Sequence, residues 1–132
     1  MKEELQEKLF KKYPKLFRQH SLTIHESAMA WGICTGDGWY KLIDKCCSSI
    51  VTYCKKMRME HPEFTQVKEK FETLRIYTYG TDDFIDHTIS LAEAASAKTC
   101  ECCGGPGKMN KSIWKEVLCG KCRKELKDAS ED

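Results

Sequence analysis

The sequence predicts an α+β fold in which helices pack on a small antiparallel sheet. Apolar residues recur at helical spacing from Trp39 to Met57, which predicts a long amphipathic helix. A β-prone run extends from Leu74 to Tyr79 and predicts a strand. Two C-x2-C pairs follow near the C-terminal end and predict a small module attached to the body.

Composition places the chain among globular proteins. It has 132 residues, of which 41% are hydrophobic and 32% charged, and no apolar run approaches the ~20 residues that a membrane span needs. The first twelve residues alternate acid and base and lack the apolar core of an export signal, so we expect a cytoplasmic protein. Its nine cysteines then indicate metal binding rather than disulfides. A net charge of only +2 argues against nucleic-acid binding as the main activity.

The N-terminal segment predicts one helix followed by a short extended stretch. Leu5, Leu9 and Tyr13 lie at helical spacing, and Pro14 should end that helix near Lys12. Residues 29–34 are expected to be extended, with a turn at residues 35–38. Asp37 is the expected N-cap of the helix that begins at Gly38 or Trp39.

The long helix has one apolar stripe, and Pro62 marks the break after it. Three of its cysteines are interpreted as core residues, because a free cysteine packs as a small hydrophobic side chain. Cys34 is a weaker candidate nucleophile with no partner fixed by the sequence. The stripe consists of Trp39, Leu42, Ile43, Cys46, Cys47, Ile50, Cys54 and Met57.

A β-hairpin is predicted over residues 66–79 and a second helix over residues 83–97. Asp82, Asp83 and Asp86 at the start of that helix are explained by its dipole, without a catalytic or metal site. The expected buried face comprises Phe84, Ile85, Thr88, Leu91, Ala92 and Ala95.

Four cysteines in the C-terminal part have the spacing of a structural zinc site: Cys100, Cys103, Cys119 and Cys122. Four thiolates complete a tetrahedral site and leave no position for a catalytic water. A redox dithiol or disulfides are the alternative. We expect an α+β body at residues 1–97, a zinc ribbon with a short hairpin at 98–125, and a flexible tail at 126–132. Cys102 is an additional thiol with no evident role.

Two surfaces are candidates for partner binding. Trp39 and Tyr40 follow a glycine-rich turn, and such aromatic residues either pack in the core or serve in binding sites. The same turn, Gly36-Asp37-Gly38, precedes a helix and is a weak candidate for nucleotide binding through its N–H groups. The ribbon offers basic residues that nucleic acid or a protein would contact, or that form an ordinary solvated surface: Lys108, Lys111, Lys115 and Arg123.

Three blocks in order resemble a group of small bacteriophage and bacterial proteins with no established activity. The blocks are Trp31-Gly32 with Gly36-Asp37-Gly38-Trp39, then 66–71 with 73–77, and Cys100–Gly107 closed by Trp114 and Leu118-Cys119-x2-Cys122. The resemblance implies zinc binding and a phage or mobile-element origin. That group tends to have glycine where this chain has Glu72, so either the turn needs no positive φ or Glu72 is slightly strained.

The function expected from the sequence is that of a non-enzymatic, zinc-binding interaction protein. Its partner would be a host or defence protein that it binds and perturbs. Two alternatives remain: a nucleic-acid-binding zinc ribbon, and a binder of nucleotides or other small molecules.

Overall fold

The computed structural model describes residues 1–109 and 117–130, with side chains described up to residue 125. Its helices and its small sheet confirm the α+β class, and the four cysteines come together beside the body. The helices are α1 (Glu3–Lys12), α2 (Tyr40–Met57), α3 (Asp83–Ser96) and α4 (Gly120–Ser130). The strands are β1 (Ile33–Cys34), β2 (Glu63–Lys70), β3 (Thr73–Tyr79), β4 (Lys108–Met109) and β5 (Val117–Leu118).

Helices α1 and α2 form where the apolar spacing predicts them. Helix α1 ends at Lys12, two residues before Pro14, with acidic residues in its first turn and lysines in its last. The buried residues of α2 all belong to the predicted stripe: Ile43, Cys46, Cys47, Ile50 and Cys54. Met57, at the end of that stripe, is 57% exposed. Helix α2 terminates at Arg58 in the left-handed conformation, and the Met59 N–H donates to the Cys54 carbonyl.

The sheet is mixed rather than purely antiparallel. Strands β2 and β3 pair antiparallel, with Val67 opposite Ile76, and this confirms the hairpin. Strand β1 lies on the other side of β2 and runs parallel to it, with Ile33 opposite Val67. The parallel pairing follows from the connection, because α2 carries the chain across the sheet and returns it in the same direction. Residues 28–31 form a 3₁₀ helix, so only the end of the predicted extended stretch is a strand.

Helix α3 covers the outer edge of β3. The Leu74 N–H donates to Ser96 Oγ at 2.8 Å, and the Ile76 N–H donates to Glu93 Oε2 at 3.0 Å. Satisfying these two N–H groups protects the start of the edge strand from pairing with another chain. These two bonds set the rotation of α3 and bury a face that differs from the predicted one: Ile85, Ile89, Ala92 and Ser96.

The exposed side of α3 corrects the sequence prediction at two positions. Phe84 and Leu91 were expected in the core but are 49% and 59% exposed. Phe84 stacks on Tyr53 of α2 with ring centroids 4.1 Å apart, so it packs at the rim of the helix pair. Asp82 caps α3 by accepting a hydrogen bond from the Ile85 N–H.

The hairpin turn consists of Phe71 and Glu72, both with positive φ, 51° and 75°. A two-residue loop with positive φ at both positions is the arrangement of a type I′ turn, which favours glycine at its second position. The turn therefore does require a positive φ at Glu72, and a glutamate is strained at that position. The Glu72 N–H donates to Glu69 Oε1 at 2.8 Å, which helps to hold this conformation.

Replacing Glu72 by glycine should therefore stabilise the protein. The left-handed conformation costs a non-glycine residue roughly 1–2 kcal/mol, and the greater chain entropy of glycine offsets about half of that gain. We expect Glu72→Gly to raise the free energy of unfolding by about 0.5–1 kcal/mol, measured by urea denaturation. Glu72→Val is the matched control and should lower it, because a β-branched side chain opposes positive φ. A lower urea midpoint for Glu72→Gly would contradict the strain argument.

Candidate metal centre

The four predicted cysteines form one cluster. The sulfurs of Cys100, Cys103, Cys119 and Cys122 all lie within 4.8 Å of one another. Cys100 and Cys103 belong to the loop after α3, Cys119 follows β5, and Cys122 lies in the first turn of α4. The short hairpin predicted between the two pairs is present as the paired strands β4 and β5. Its ladder brings the two C-x2-C segments to the same end of the module.

Local backbone hydrogen bonds shape the first cysteine pair. The Gly104 N–H donates to the Cys100 carbonyl at 2.9 Å, and the Cys100 N–H donates to the Gly105 carbonyl at 2.7 Å. Gly104 has a φ of 84°, which lets the chain turn within a few residues and direct both sulfurs to one side. The Glu101 N–H donates to the Val117 carbonyl at 2.8 Å and joins this turn to β5.

Backbone N–H groups also stabilise negative charge on two of the sulfurs. Burial opposes ionisation of Cys100, but N–H groups of Cys103, Cys119 and Cys102 outweigh it and lower its pKa to about 7. The Cys122 N–H, 3.4 Å from Cys119 Sγ, lowers the pKa of Cys119. The neighbouring Cys119 thiol, together with burial, raises the pKa of Cys122. Ionisation is thus made easier at Cys100 and Cys119 and harder at Cys122.

A divalent cation fits this donor set. Thiolates packed together repel one another, and one soft cation neutralises them while accepting all four as ligands. Tetrahedral coordination by four cysteines is the arrangement of structural zinc sites. The residues present therefore suit Zn²⁺, and a filled site would have no open coordination position.

Cys102 lies at the edge of the cluster. It is exposed and does not belong to the set of four mutually close sulfurs. After Cys119 and burial, the Cys102 thiol is a further cause of the raised pKa of Cys122. Cys102 is thus a neighbour of the site, while the ligand set is the one that the spacing predicts.

The turn before α2 is the surface on which the first cysteine pair docks. The Gly38 N–H donates to the Glu101 carbonyl at 2.7 Å, and the Gly36 N–H donates to Glu101 Oε2 at 2.8 Å. A Cβ atom at Gly38 would stand 2.2 Å from the Cys100 carbonyl oxygen, and one at Gly36 would stand 2.3 Å from the Glu101 carbonyl oxygen. Both glycines are therefore required by the close approach of two backbones.

Three assignments made from the sequence are overturned at this turn. Trp39 is completely buried, and its indole Nε1 donates to the Thr99 carbonyl at 2.9 Å, so it cannot belong to an exposed partner surface. The N–H groups of Gly36 and Gly38 are engaged by Glu101, so they do not form an anion site. Asp37 does not cap α2 with its side chain, because its carboxylate accepts the Lys2 N–H at 2.7 Å.

The other predicted partner-binding residues differ in how accessible they are to a partner. Tyr40 is half-buried and packs against the core. Lys108 is exposed, and its carbonyl accepts a 2.8 Å hydrogen bond from Arg123 Nη2, so Arg123 braces the ribbon. Lys111 and Lys115 lie outside the described residues. Their proposed contact with a partner remains a prediction.

The cysteines of α2 are core residues, as the apolar stripe predicts. Burial raises the pKa of Cys46 to about 12 and that of Cys47 well above its ordinary value. Burial likewise raises the pKa of Cys54. All three therefore stay protonated and act as packing groups.

Sequence reasoning missed two exposed surfaces. One is the outer face of the β-hairpin, where Tyr77 and Tyr79 are exposed. The other is a cleft lined by Lys15, Arg18, Lys55 and Arg58. The alternation of Arg75, Tyr77 and Tyr79 signals the first surface. The second joins segments far apart in the chain, so no local pattern reveals it.

Comparison with known proteins does not assign the chain to a family. No protein-family model matches it, and no curated protein or solved structure does. Among the described residues, no helix has the length and apolar character needed to cross a membrane.

Because the two backbones are in close contact, a single methyl group added at Gly38 should strongly reduce the stability of the protein. Gly38→Ala should lower the free energy of unfolding by about 1–3 kcal/mol, because the new Cβ forces the two backbones apart. Gly120→Ala is the matched control: it lies beside a metal-ligand cysteine, yet a Cβ there meets nothing within 4 Å. Its effect should stay within about 0.5 kcal/mol. Equal urea midpoints for the two variants would refute the close-contact argument.

Removing the metal should undo the docking as well as the ribbon. In a Trp31→Phe/Trp114→Phe background, we expect chelation to shift the emission of Trp39 to the red, because its Thr99 partner belongs to the ribbon segment. Cys119→Ser should abolish stoichiometric zinc binding measured by elemental analysis, whereas Cys102→Ser should retain it. Trp39 emission that is unchanged after complete zinc removal would show that docking does not need the metal.

Proposed function

We propose that this chain is a non-enzymatic zinc-binding protein that acts by binding a protein partner. The closed four-cysteine cluster supports a structural metal, and the four sulfurs within 4.8 Å of one another carry this part of the proposal. The metal would hold the ribbon against the turn at Gly36–Gly38. The remaining exposed surface of the body would then be available for recognition.

The outer face of the hairpin is the surface that best suits a partner. We define the sheet face as Lys68, Arg75, Tyr77 and Tyr79. Lys68 lies opposite Arg75 in the ladder, and its Nζ stands 5.7 Å from the centre of the Tyr77 ring. Tyr77 and Tyr79 are 40% and 71% exposed. Tyrosine and arginine are enriched among the residues that dominate binding energies, and the two cations favour an acidic partner surface.

A cleft beside the sheet face makes this part of the surface concave. It measures about 530 Å³ and is lined by Tyr77 and Tyr79 on one side and by residues 26–28 on the other. A side chain of the partner could enter it while flanking residues contact the two tyrosines. Aromatic anchors beside a pocket are typical of the centre of a protein interface.

The resemblance to phage-encoded proteins suggests the source of the partner. A phage or mobile-element accessory factor acts in a bacterial cytoplasm, and its partner would be a host or defence protein. Binding through the sheet face would inhibit or redirect that protein. This finer assignment rests on the sequence resemblance and is part of the proposal.

Nucleic acid is the second candidate partner, favoured by the pairing of aromatic and basic groups on the sheet face. Exposed tyrosines beside lysine and arginine would stack unpaired bases and contact phosphates. Such binding would weaken steeply with salt, whereas a protein interface anchored by tyrosines would depend on salt only weakly.

A double substitution on the sheet face tests the proposal. Tyr77→Ala/Tyr79→Ala should reduce recovery of a specific partner from nuclease-treated host lysate at least about tenfold, because the two anchors are removed. Leu91→Ala, also at an exposed apolar position but on α3, is the control and should leave recovery unchanged. The identified partner should then show the same ranking in purified form. Equal partner recovery by both variants would exclude the sheet face, and loss of all capture after nuclease treatment would favour nucleic acid.

A further inference from the structure

A cleft of about 530 Å³ opens on the side of the body where α2 ends. It is built from three segments: the chain after α1, the last turn of α2, and the connection into β2. We define the basic cleft by its five basic side chains, and Cys54, Met59 and Glu60 complete its wall. The basic residues are Lys15, Arg18, Lys55, Arg58 and His61.

Arg18 is held in place at the centre of these segments. Its Nη2 donates to the His61 carbonyl at 2.8 Å, and its Nε lies 2.9 Å from Glu63 Oε1. These contacts fix the guanidinium plane before any ligand arrives. A pre-oriented guanidinium loses little conformational freedom when it binds an anion. Its remaining N–H groups can donate to a pair of oxygens that lie in the guanidinium plane.

The charges of the basic cleft are only partly balanced. Four permanent cations face it, while the acids beside them are Glu60 and Glu63, of which Glu63 pairs with Arg18. The negative end of α2 explains Lys55 and Arg58 without a ligand. It does not explain Lys15 and Arg18, which belong to a different segment and converge on the same space.

His61 experiences the excess positive charge. Burial lowers its pKa, and Lys15, Lys55 and Arg18 lower it further. Its Nδ1 is buried and has no hydrogen-bond partner among the residues that the structure describes. A buried polar atom without a partner costs free energy, so the surroundings of this imidazole are unfavourable as they stand.

We propose that the basic cleft binds the phosphate groups of a small polyphosphate ligand. Several converging cations exceed what one carboxylate would neutralise, and two or more linked phosphates match them. The volume lies within the range of small-molecule sites, and Arg18 supplies an oriented fork in the same cleft as the lysines. This site is separate from the metal cluster and from the sheet face, so it does not depend on the function proposed above.

Calorimetric titration of the zinc-loaded protein with pyrophosphate tests the site. We expect binding that weakens roughly tenfold or more in Lys15→Ala/Lys55→Ala. Lys56→Ala is the matched control, since Lys56 neighbours Lys55 on α2 but does not line the cleft. It should bind as the parent does. Arg18 is left intact because it braces His61 and Glu63, and unchanged zinc content shows that pyrophosphate has not stripped the metal.

The imidazole of His61 gives an independent measurement by NMR. Bound pyrophosphate should raise the pKa of His61, because added negative charge stabilises the imidazolium form. The ring resonances of His20, His25 and His87, which do not line the cleft, serve as internal references. Inorganic phosphate should bind more weakly than pyrophosphate, and ATP at least as tightly as inorganic phosphate.

Three results would overturn the proposal. The first is no binding of pyrophosphate at millimolar concentration. The second is equal weakening in the Lys15/Lys55 and Lys56 variants, which would indicate nonspecific attraction. The third is tighter binding of a single-stranded oligonucleotide than of ATP, with the same dependence on Lys15 and Lys55, which would assign the cleft to a nucleic-acid backbone.

Discussion

The structure depends on the close backbone contact between the first cysteine pair and the turn before α2. Gly36 and Gly38 lie so near residues 100–101 that a Cβ at either position would enter the neighbouring carbonyl. The N–H groups of both glycines bond to Glu101, and Trp39 bonds to Thr99. Because this turn connects β1 to α2, the contact fixes the start of the β1–α2–β2 unit. The cysteine module keeps a small buried cluster of its own, Cys100, Leu118 and Cys122, and is joined to the body by this contact.

That contact changes what a metal would do for the protein. In an isolated ribbon, binding energy from four thiolates stabilises only the ribbon itself. Here the same ordered turn supplies the carbonyl groups of Thr99 and Glu101, which satisfy a buried indole and a glycine N–H of the body. Loss of order at the cysteines would leave those groups without partners, and unpaired buried polar groups are costly. Order at the cysteines and packing of the body are thus coupled through three hydrogen bonds, donated by the Gly36 N–H, the Gly38 N–H and the Trp39 indole.

Local patterns in the sequence predicted the helices, the hairpin and the cysteine cluster. Long-range contacts determined how these elements pair and which of their faces are buried. Helical spacing located α1 and α2, β-prone residues located the hairpin, and cysteine spacing located the cluster, because each signal lies within a short stretch of chain. The parallel pairing of β1 depends on a residue pair 34 positions apart, Ile33 and Val67. The burial of Trp39 and the rotation of α3 depend on Thr99, Glu93 and Ser96 in the same way. A glycine-rich turn before a helix looked like a binding loop because the sequence could not show the backbone that occupies it.

Most groups that resemble catalytic candidates in the sequence are engaged in holding the fold. Asp82 caps α3 and accepts a 2.6 Å hydrogen bond from the Tyr53 hydroxyl, which holds the pKa of Asp82 below its usual range. The thiols of α2 are kept protonated by burial, and the cysteines of the cluster form a closed ligand set. The groups that remain available for binding are instead the tyrosines of the sheet face and the cations of the basic cleft. Stacking on the tyrosines and pairing with the cations are both binding interactions that need no reactive group, and this is the physical basis of the two proposals.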